Sequence, residues 1–213
     1  MKKSFDALIF DMDGVLVDVS LSYRKAIKKT AEYFLKRKID DLEIEAIKQR
    51  VGMNNDWDAT YELINNKMIP YKEAKDVFQR IYLGGGEEKG LINNETLLIS
   101  KNDLLELKRI YGKLGIATGR PKEEAQYVID RFKLNELFDV VIAKEDTQKE
   151  KPYPDPILKA VDDLRSKNGV YIGDSPSDIV AASAARIPIL FVGGKKEGVI
   201  CFSSMLEVVN YLI

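Results

Sequence analysis

The sequence predicts an α/β fold, a doubly wound parallel sheet of Rossmann-like type, with a small all-helical domain inserted after the first strand. Short apolar runs bounded by polar residues recur along the chain, as expected of strands buried on both faces. Helical patterns lie between the later runs, and repeated strand–helix–strand units imply parallel strands. The first interval is anomalous. Roughly a hundred residues separate the first two runs, where a single crossover unit needs only about thirty.

The first strand is Ala7–Phe10. Behind it, Tyr23, Ala26, Ile27 and Phe34 share one helical face, and Lys25, Lys28, Lys29 and Lys36 hold the other. Leu42, Ile47 and Val51 suggest a second helix, Trp57, Tyr61 and Ile64 a third, and Ala74, Val77, Phe78 and Ile81 a fourth. The insert is bounded near Val17 and near Asn93, giving a helical domain of residues 17–93 and a core of 1–16 and 94–213. Gly84-Gly85-Gly86 and Gly90 read as a flexible return. The remaining strands are Leu114–Ala117, Val140–Ala143, Val170–Ile172 and Ile189–Val192. Ala125, Val128, Ile129 and Phe132 mark a helix after the second run, and Ile179–Ala185 one after the fourth.

A chain of 213 residues suits one large domain or a core with an insert. Its 33 basic and 34 acidic residues leave a net charge of -1, without the basic excess that drives binding to nucleic acid. There is no histidine and one cysteine, Cys201, so Cys/His zinc sets, Ser-His-Asp triads and Cys-His pairs are excluded. Acid–base chemistry must run on carboxylates. Ala7–Phe10 is too short for a signal-peptide core, and no run approaches a membrane span, so a reducing, cytoplasmic setting is expected.

Four strand ends carry complementary chemistry. Asp11-Met12-Asp13-Gly14 places two carboxylates at the carboxyl end of the first strand, where open α/β sheets bind ligands. Taken alone, this pattern also fits a helix cap or a solvated turn. Thr118-Gly119-Arg120 offers a hydroxyl and backbone N–H groups to a phosphate, or an N-cap to the next helix. Lys151-Pro152-Tyr153-Pro154-Asp155-Pro156 fixes a lysine between prolines, and the plain alternative is an ordinary surface lysine. Gly173-Asp174-Ser175-Pro176-Ser177-Asp178 adds two carboxylates, or again a helix cap with Pro176 in the first turn.

In this order, the four motifs resemble those of the haloacid dehalogenase (HAD) superfamily of phosphohydrolases. The resemblance covers the whole chain, because the helical insert is similar to the cap between motifs one and two in the phosphoglycolate phosphatase-like branch. It implies a Mg²⁺-dependent phosphatase of a small phosphomonoester. Asp11 is then nucleophile and metal ligand, and forms an aspartyl-phosphate. Asp13 ligates the metal through its carbonyl and acts as acid and base through its carboxyl. Asp174 completes the protein ligands, while Asp178 holds a metal-bound water or positions Lys151. Thr118, Gly119 and Lys151 bind the phosphoryl oxygens. Asp18, with Ser20 and Ser22 nearby, reads as a cap for the first insert helix. Arg120 departs from members with asparagine after the glycine-neighbouring threonine; contact with substrate and pairing with an acid both stay open, and it is left outside the site.

Asn54, Asn55 and Trp57 sit outside the core motifs and are candidates for reading the leaving group; the plain alternative is Asp56 as N-cap with Trp57 in the insert core. This segment, with Asp18–Arg24, resembles a subgroup linked to histidine biosynthesis, which brings histidinol phosphate in beside phosphoglycolate as a substrate. A sugar phosphomutase is the alternative within the family, although its usual hinge histidine is absent here. A receiver-like phospho-acceptor is the alternative from another class, but it lacks a large helical insert.

Overall fold

The computed structural model describes residues 5–53, 55–85 and 88–213. Strand β1 (Ala7–Phe10) is wholly buried, and β2 (Val17–Asp18) follows the first acidic loop. The insert then runs through α1 (Tyr23–Leu35), α2 (Asp41–Lys48), α3 (Asp56–Ile64) and α4 (Tyr71–Leu83). Strands β3 (Gly84–Gly85) and β4 (Glu88–Lys89) pair antiparallel, and β5 (Thr96–Leu97) pairs with β2. The chain continues through α5 (Lys101–Tyr111), β6 (Leu114–Ala117), α6 (Lys122–Arg131), β7 (Val140–Ile142), α7 (Asp155–Asp163) and β8 (Gly169–Gly173). It ends with α8 (Pro176–Ala185), β9 (Ile189–Val192), β10 (Ile200–Phe202) and α9 (Met205–Leu212).

The main sheet is six-stranded and parallel, in the order β10-β9-β8-β1-β6-β7. From the central β1 the chain builds outward to one side through β6 and β7, then to the other through β8, β9 and β10. The strand order therefore reverses beside β1, and the crevice at the strands' carboxyl ends is where such sheets bind ligands. Register places Phe10 opposite both Ile116 and Ile172, so Asp11, Thr118 and Asp174 emerge at the same end of three adjacent strands. One sheet face buries Ala7, Ile9, Ala117 and Tyr171 against Ile157 and Ala160 of α7 and Ala181, Ala182 and Ala185 of α8. Alternate residues, Leu8 and Phe10 among them, are fully buried on the other face.

The chain divides into two compact units, 1–17 with 97–213 and 18–96. The smaller unit has its own core. There Tyr23 stacks on Tyr82 at 4.1 Å between ring centroids, and Ile27, Ile44, Ile64, Ala74 and Phe78 pack with them. Two of its expected elements differ from the sequence reading. Leu42 is 75% exposed and Val51 is exposed beyond the helix end, because α2 starts at the Asp40 capping box and turns Ile44 inward beside the expected Ile47. Of the glycine stretch, Gly84 and Gly85 pair antiparallel with Lys89 and Glu88 as β3 and β4, with Gly84 at φ +88° where a Cβ would overlap the Glu88 carbonyl, while Gly86 lies outside the described residues.

In the larger unit, β7 stops at Ile142 and leaves Val140 and Val141 half-buried, since it is an edge strand and not a doubly covered one. Strand β10 extends the opposite edge and was not expected, its three residues being too few for a readable pattern. Phe132 lies just past α6 as its C-cap. No described helix is long and apolar enough to cross a membrane. Leu107 in α5 is fully buried. Replacing it with alanine should cost roughly 2–5 kcal/mol in urea unfolding while the transition stays cooperative.

Candidate active site

The site grows from the loop after β1. The Asp11 amide donates to the Ile172 carbonyl at 2.8 Å, continuing the β1–β8 ladder one step and turning the Asp11 side chain inward. Asp11 is 4% exposed. Its Oδ1 accepts from the Met12 amide at 2.7 Å, and its Oδ2 lies 2.8 Å from Lys151 Nζ. Gly14 has φ +72°, and a Cβ there would overlap the Asp174 carboxylate. Glycine is thus required both for the turn and for the approach of the β8 loop.

Lys151 is buried, so the surface-lysine alternative does not hold. Its ammonium bridges Asp11 Oδ2 and Asp178 Oδ1, the latter at 2.7 Å, and also donates to the Tyr171 hydroxyl at 2.9 Å. That hydroxyl donates to Asp178 Oδ1 or to the Ala117 carbonyl, 3.0 and 3.2 Å away. Asp178 is a helix-capping residue as well. Ser175 is the N-cap of α8, and Asp178 Oδ2 accepts from the Ser175 hydroxyl at 2.7 Å and from the Ser175 and Asp174 amides. The capping alternative and a place in the site are therefore both realised by one residue.

One ligand oxygen from each of Asp11, Asp174 and Asp178 lies within 4.8 Å of the others. Burial is the main cause that raises the Asp11 carboxyl to about 7, helped by the charges of Asp178 and Asp13 and opposed by Lys151. Asp174 is pushed well above the usual carboxylate range by burial and by the charges of Asp178 and Asp11. For Asp178, burial acts upward, yet the ammonium of Lys151 and the Ser175 hydrogen bonds outweigh it and hold the group low. Lys151 is held above the ordinary lysine value by Asp11 and Asp178 despite burial.

Thr118 is buried at the end of β6, its amide donating to the Ile142 carbonyl at 2.9 Å and its Oγ1 accepting from the Arg120 amide at 3.2 Å. Gly119 between them is half-buried. The Asp13 carboxylate is not in the acidic cluster. It pairs with Arg120, whose Nε and NH2 reach Asp13 Oδ1 at 2.6 and 2.5 Å. Sequence reasoning left this arginine outside the site; only its place next to Thr118 could have suggested it.

In the smaller unit, Asn55 and not Asp56 is the N-cap of α3, its Oδ1 accepting from the Trp57 amide at 3.0 Å. Asp56 instead pairs with Lys48 at 2.8 Å. Trp57 packs on the unit's core and carries the Lys75 ammonium 3.5 Å from its ring centroid. Asn54 lies outside the described residues. Asp18 does not cap α1: its Oδ1 accepts from the Ser20 amide at 2.9 Å, a local turn, and Ser22 occupies the cap position without a side-chain capping bond, its hydroxyl donating to Glu95 instead.

Residues 8–192 match the family model described as haloacid dehalogenase-like hydrolase. The chain belongs to this family. It is 31% identical over 193 residues to a phosphorylated carbohydrates phosphatase of Thermotoga maritima, covering 87% of this chain and 84% of that protein. It is 27% identical over 192 residues to a phosphoglycolate phosphatase of Photorhabdus laumondii, covering 87% and 79%. A protein of Phytophthora nicotianae named imidazoleglycerol-phosphate dehydratase is 36% identical over 194 residues; the match takes in 87% of this chain and 42% of that longer protein. Among solved structures, CbbY of Rhodobacter sphaeroides in complex with phosphate superposes with a TM-score of 0.74 at 20% identity, covering 96% of each chain, a likeness of fold. The chain is thus a haloacid dehalogenase-like hydrolase.

The buried cluster of this hydrolase makes stability depend on pH. The ordinary Asp11 value is 3.8 and the folded one about 7, so its contribution is full below 3.8 and is lost as pH rises through 7. Asp178, held low, contributes above the ordinary carboxylate range and loses that only in acid. The metal-free protein should therefore melt at a lower temperature at about pH 8 than at about pH 5.5, and Asp11→Asn should flatten that slope in a pH series of thermal melts.

Proposed function

We propose that this protein hydrolyses a small phosphomonoester through an aspartyl-phosphate on Asp11, with Mg²⁺ as its metal. The observation that carries the reading is the convergence of the Asp11, Asp174 and Asp178 carboxylates within 4.8 Å at the strand ends, with buried Lys151 against Asp11. The donor set fits a hard divalent cation, since all candidate ligands are oxygens and burial leaves Asp11 and Asp174 short of compensating charge. Asp11, Asp174 and the Asp13 main-chain carbonyl would hold it. Asp178 is committed to Lys151 and Ser175 and acts behind them. When bound, Mg²⁺ supplies positive charge that lets an anionic phosphate approach carboxylates.

The chain's own residues divide the work. Thr118, the Gly119 amide and Lys151 bind and orient the phosphoryl oxygens, and the Lys151 charge stabilises the transition state. An Asp11 oxygen attacks phosphorus, the bond to the leaving oxygen breaks, and Asp13 gives that oxygen its proton to release the alcohol. Asp13 then takes a proton from water as the water oxygen attacks phosphorus. The bond to Asp11 breaks and inorganic phosphate leaves. The unit 18–96 serves as the cap that reads the leaving group. Trp57, with the Lys75 ammonium over its ring, and Asn55, its oxygen spent on α3 and its N–H₂ left to donate, are the residues that would contact the leaving group.

For the substrate, the likeness to part of a protein named for imidazoleglycerol phosphate favours an imidazole-bearing phosphomonoester, histidinol phosphate, over phosphoglycolate. A phosphate-release screen with Mg²⁺ over histidinol phosphate, phosphoglycolate and sugar phosphates tests this. Histidinol phosphate should give the highest kcat/KM, and Trp57→Ala should lower it by about tenfold to two-hundredfold more than for a generic ester. Asp11→Asn should abolish turnover in a folded protein, and a chelator should stop release until Mg²⁺ is restored. Full activity in metal-free buffer, or in Asp11→Asn, would overturn the mechanism.

A further inference from the structure

We propose that Arg120 is a positioning residue for Asp13, clamping the carboxylate that moves the proton to and from the substrate; this rests on the mechanism just proposed. Arg120 is 1% exposed, an unusual place for an arginine in a loop at the mouth of a sheet. Its guanidinium places two N–H donors, Nε and NH2, on a single oxygen of Asp13, a residue 107 positions away. The other oxygen, Asp13 Oδ2, accepts no hydrogen bond among the described residues, and the side chain is partly open to solvent. One oxygen is held and the other is presented.

The clamp is itself held. The Arg120 carbonyl accepts from the Lys144 amide at 2.9 Å, and the Arg120 amide donates to Thr118 Oγ1 at 3.2 Å. The second bond occupies a lone pair of the threonine hydroxyl and leaves its proton to donate to a phosphoryl oxygen. A single residue thus sets the direction of the Thr118 hydroxyl through its backbone and of the Asp13 carboxylate through its side chain. The loops after β1 and β6, which supply proton transfer and phosphate binding, are tied in one geometry before substrate arrives. Fixed proton donors are effective because a misplacement of about 1 Å costs on the order of a hundredfold in rate.

Proton delivery matters for a poor leaving group such as an alkoxide and little for nitrophenolate, which departs as the anion. In that first step the Asp11–phosphorus bond forms, the phosphorus–oxygen bond breaks, and the electron pair stays on the leaving oxygen with or without the proton from Asp13. Because kcat/KM reports this step alone, Arg120→Met should lower it for glycerol phosphate about a hundredfold and change it less than about threefold for p-nitrophenyl phosphate. Water activation in the second step also needs Asp13, so p-nitrophenyl phosphate should show a burst of nitrophenol followed by a slower steady rate. Asp13→Asn should give the same pattern more severely, by about a hundredfold to ten-thousandfold on the alkyl ester. Arg120→Lys should recover part of the loss, keeping the charge without the paired donors.

Equal losses on both esters, or a competitive inhibition constant for inorganic phosphate raised more than about tenfold in Arg120→Met, would overturn the proposal and make Arg120 a structural or phosphate-binding residue. If Arg120→Met fails to fold by circular dichroism, Arg120→Lys decides: a selective loss on glycerol phosphate supports the clamp, and an unselective one refutes it. A failure of the underlying mechanism reads differently, since Asp13→Asn would then discriminate no more than the parent protein.

Discussion

A buried ammonium shared between two buried carboxylates is the constraint on which the rest of the site depends. Lys151 reaches Asp11 at 2.8 Å and Asp178 at 2.7 Å from a position closed to solvent. Removing one member of such a set leaves an uncompensated buried charge, which is worth several kcal/mol. The surroundings answer each remaining valence: Tyr171 adds a hydroxyl beside Lys151, and Ser175 with the α8 N-terminus takes the outer oxygen of Asp178. The negative end of the balance stays in excess. Three carboxyl groups face one ammonium in this cluster, and burial first, with the neighbouring negative charges added, raises Asp11 and Asp174.

That excess is a property of where the strands end. The parallel sheet reverses direction beside β1, so the carboxyl ends of β1, β6 and β8 deliver Asp11, Thr118 and Asp174 to one crevice. Close approach is then a matter of atoms that are missing. Gly14 lacks the Cβ that would collide with Asp174, and Gly173 lacks one that would crowd Asp178. Each glycine lets an acidic loop come nearer than any other residue would allow, and the electrostatic tension of the cluster follows from that proximity.

The larger unit carries all of this chemistry, while the smaller one is built on different terms. Its core is a stack of aromatic and aliphatic side chains around Tyr23, Phe78 and Tyr82, with Glu95 buried and held by Ser22 at 2.7 Å and Tyr82 at 3.1 Å. Each of the two units has its own core.

By itself, the sequence determined the fold class, the insertion point and the order of the motifs. Buried parallel strands are continuous apolar runs, and Ala7–Phe10, Leu114–Ala117 and Ile189–Val192 are recovered with the same bounds. Acidic and glycine-bearing turns placed directly after such runs are local patterns, so Asp11, Asp13, Thr118, Lys151, Asp174 and Asp178 were legible as candidates. The edges were not: three residues of β10 make no period, and Val140–Ala143 reads as buried on both faces although Val140 and Val141 are only half-buried. Helix caps shifted by one residue, from Asp56 to Asn55, because neighbouring polar residues compete for one position on nearly equal terms. The pairings were decided by tertiary structure alone. That Lys151 is buried between two aspartates, that Asp13 stands apart from the acidic cluster, and that Arg120 holds it across 107 positions are matters of distance in space, and charge interactions fall with spatial separation and not with separation along the chain.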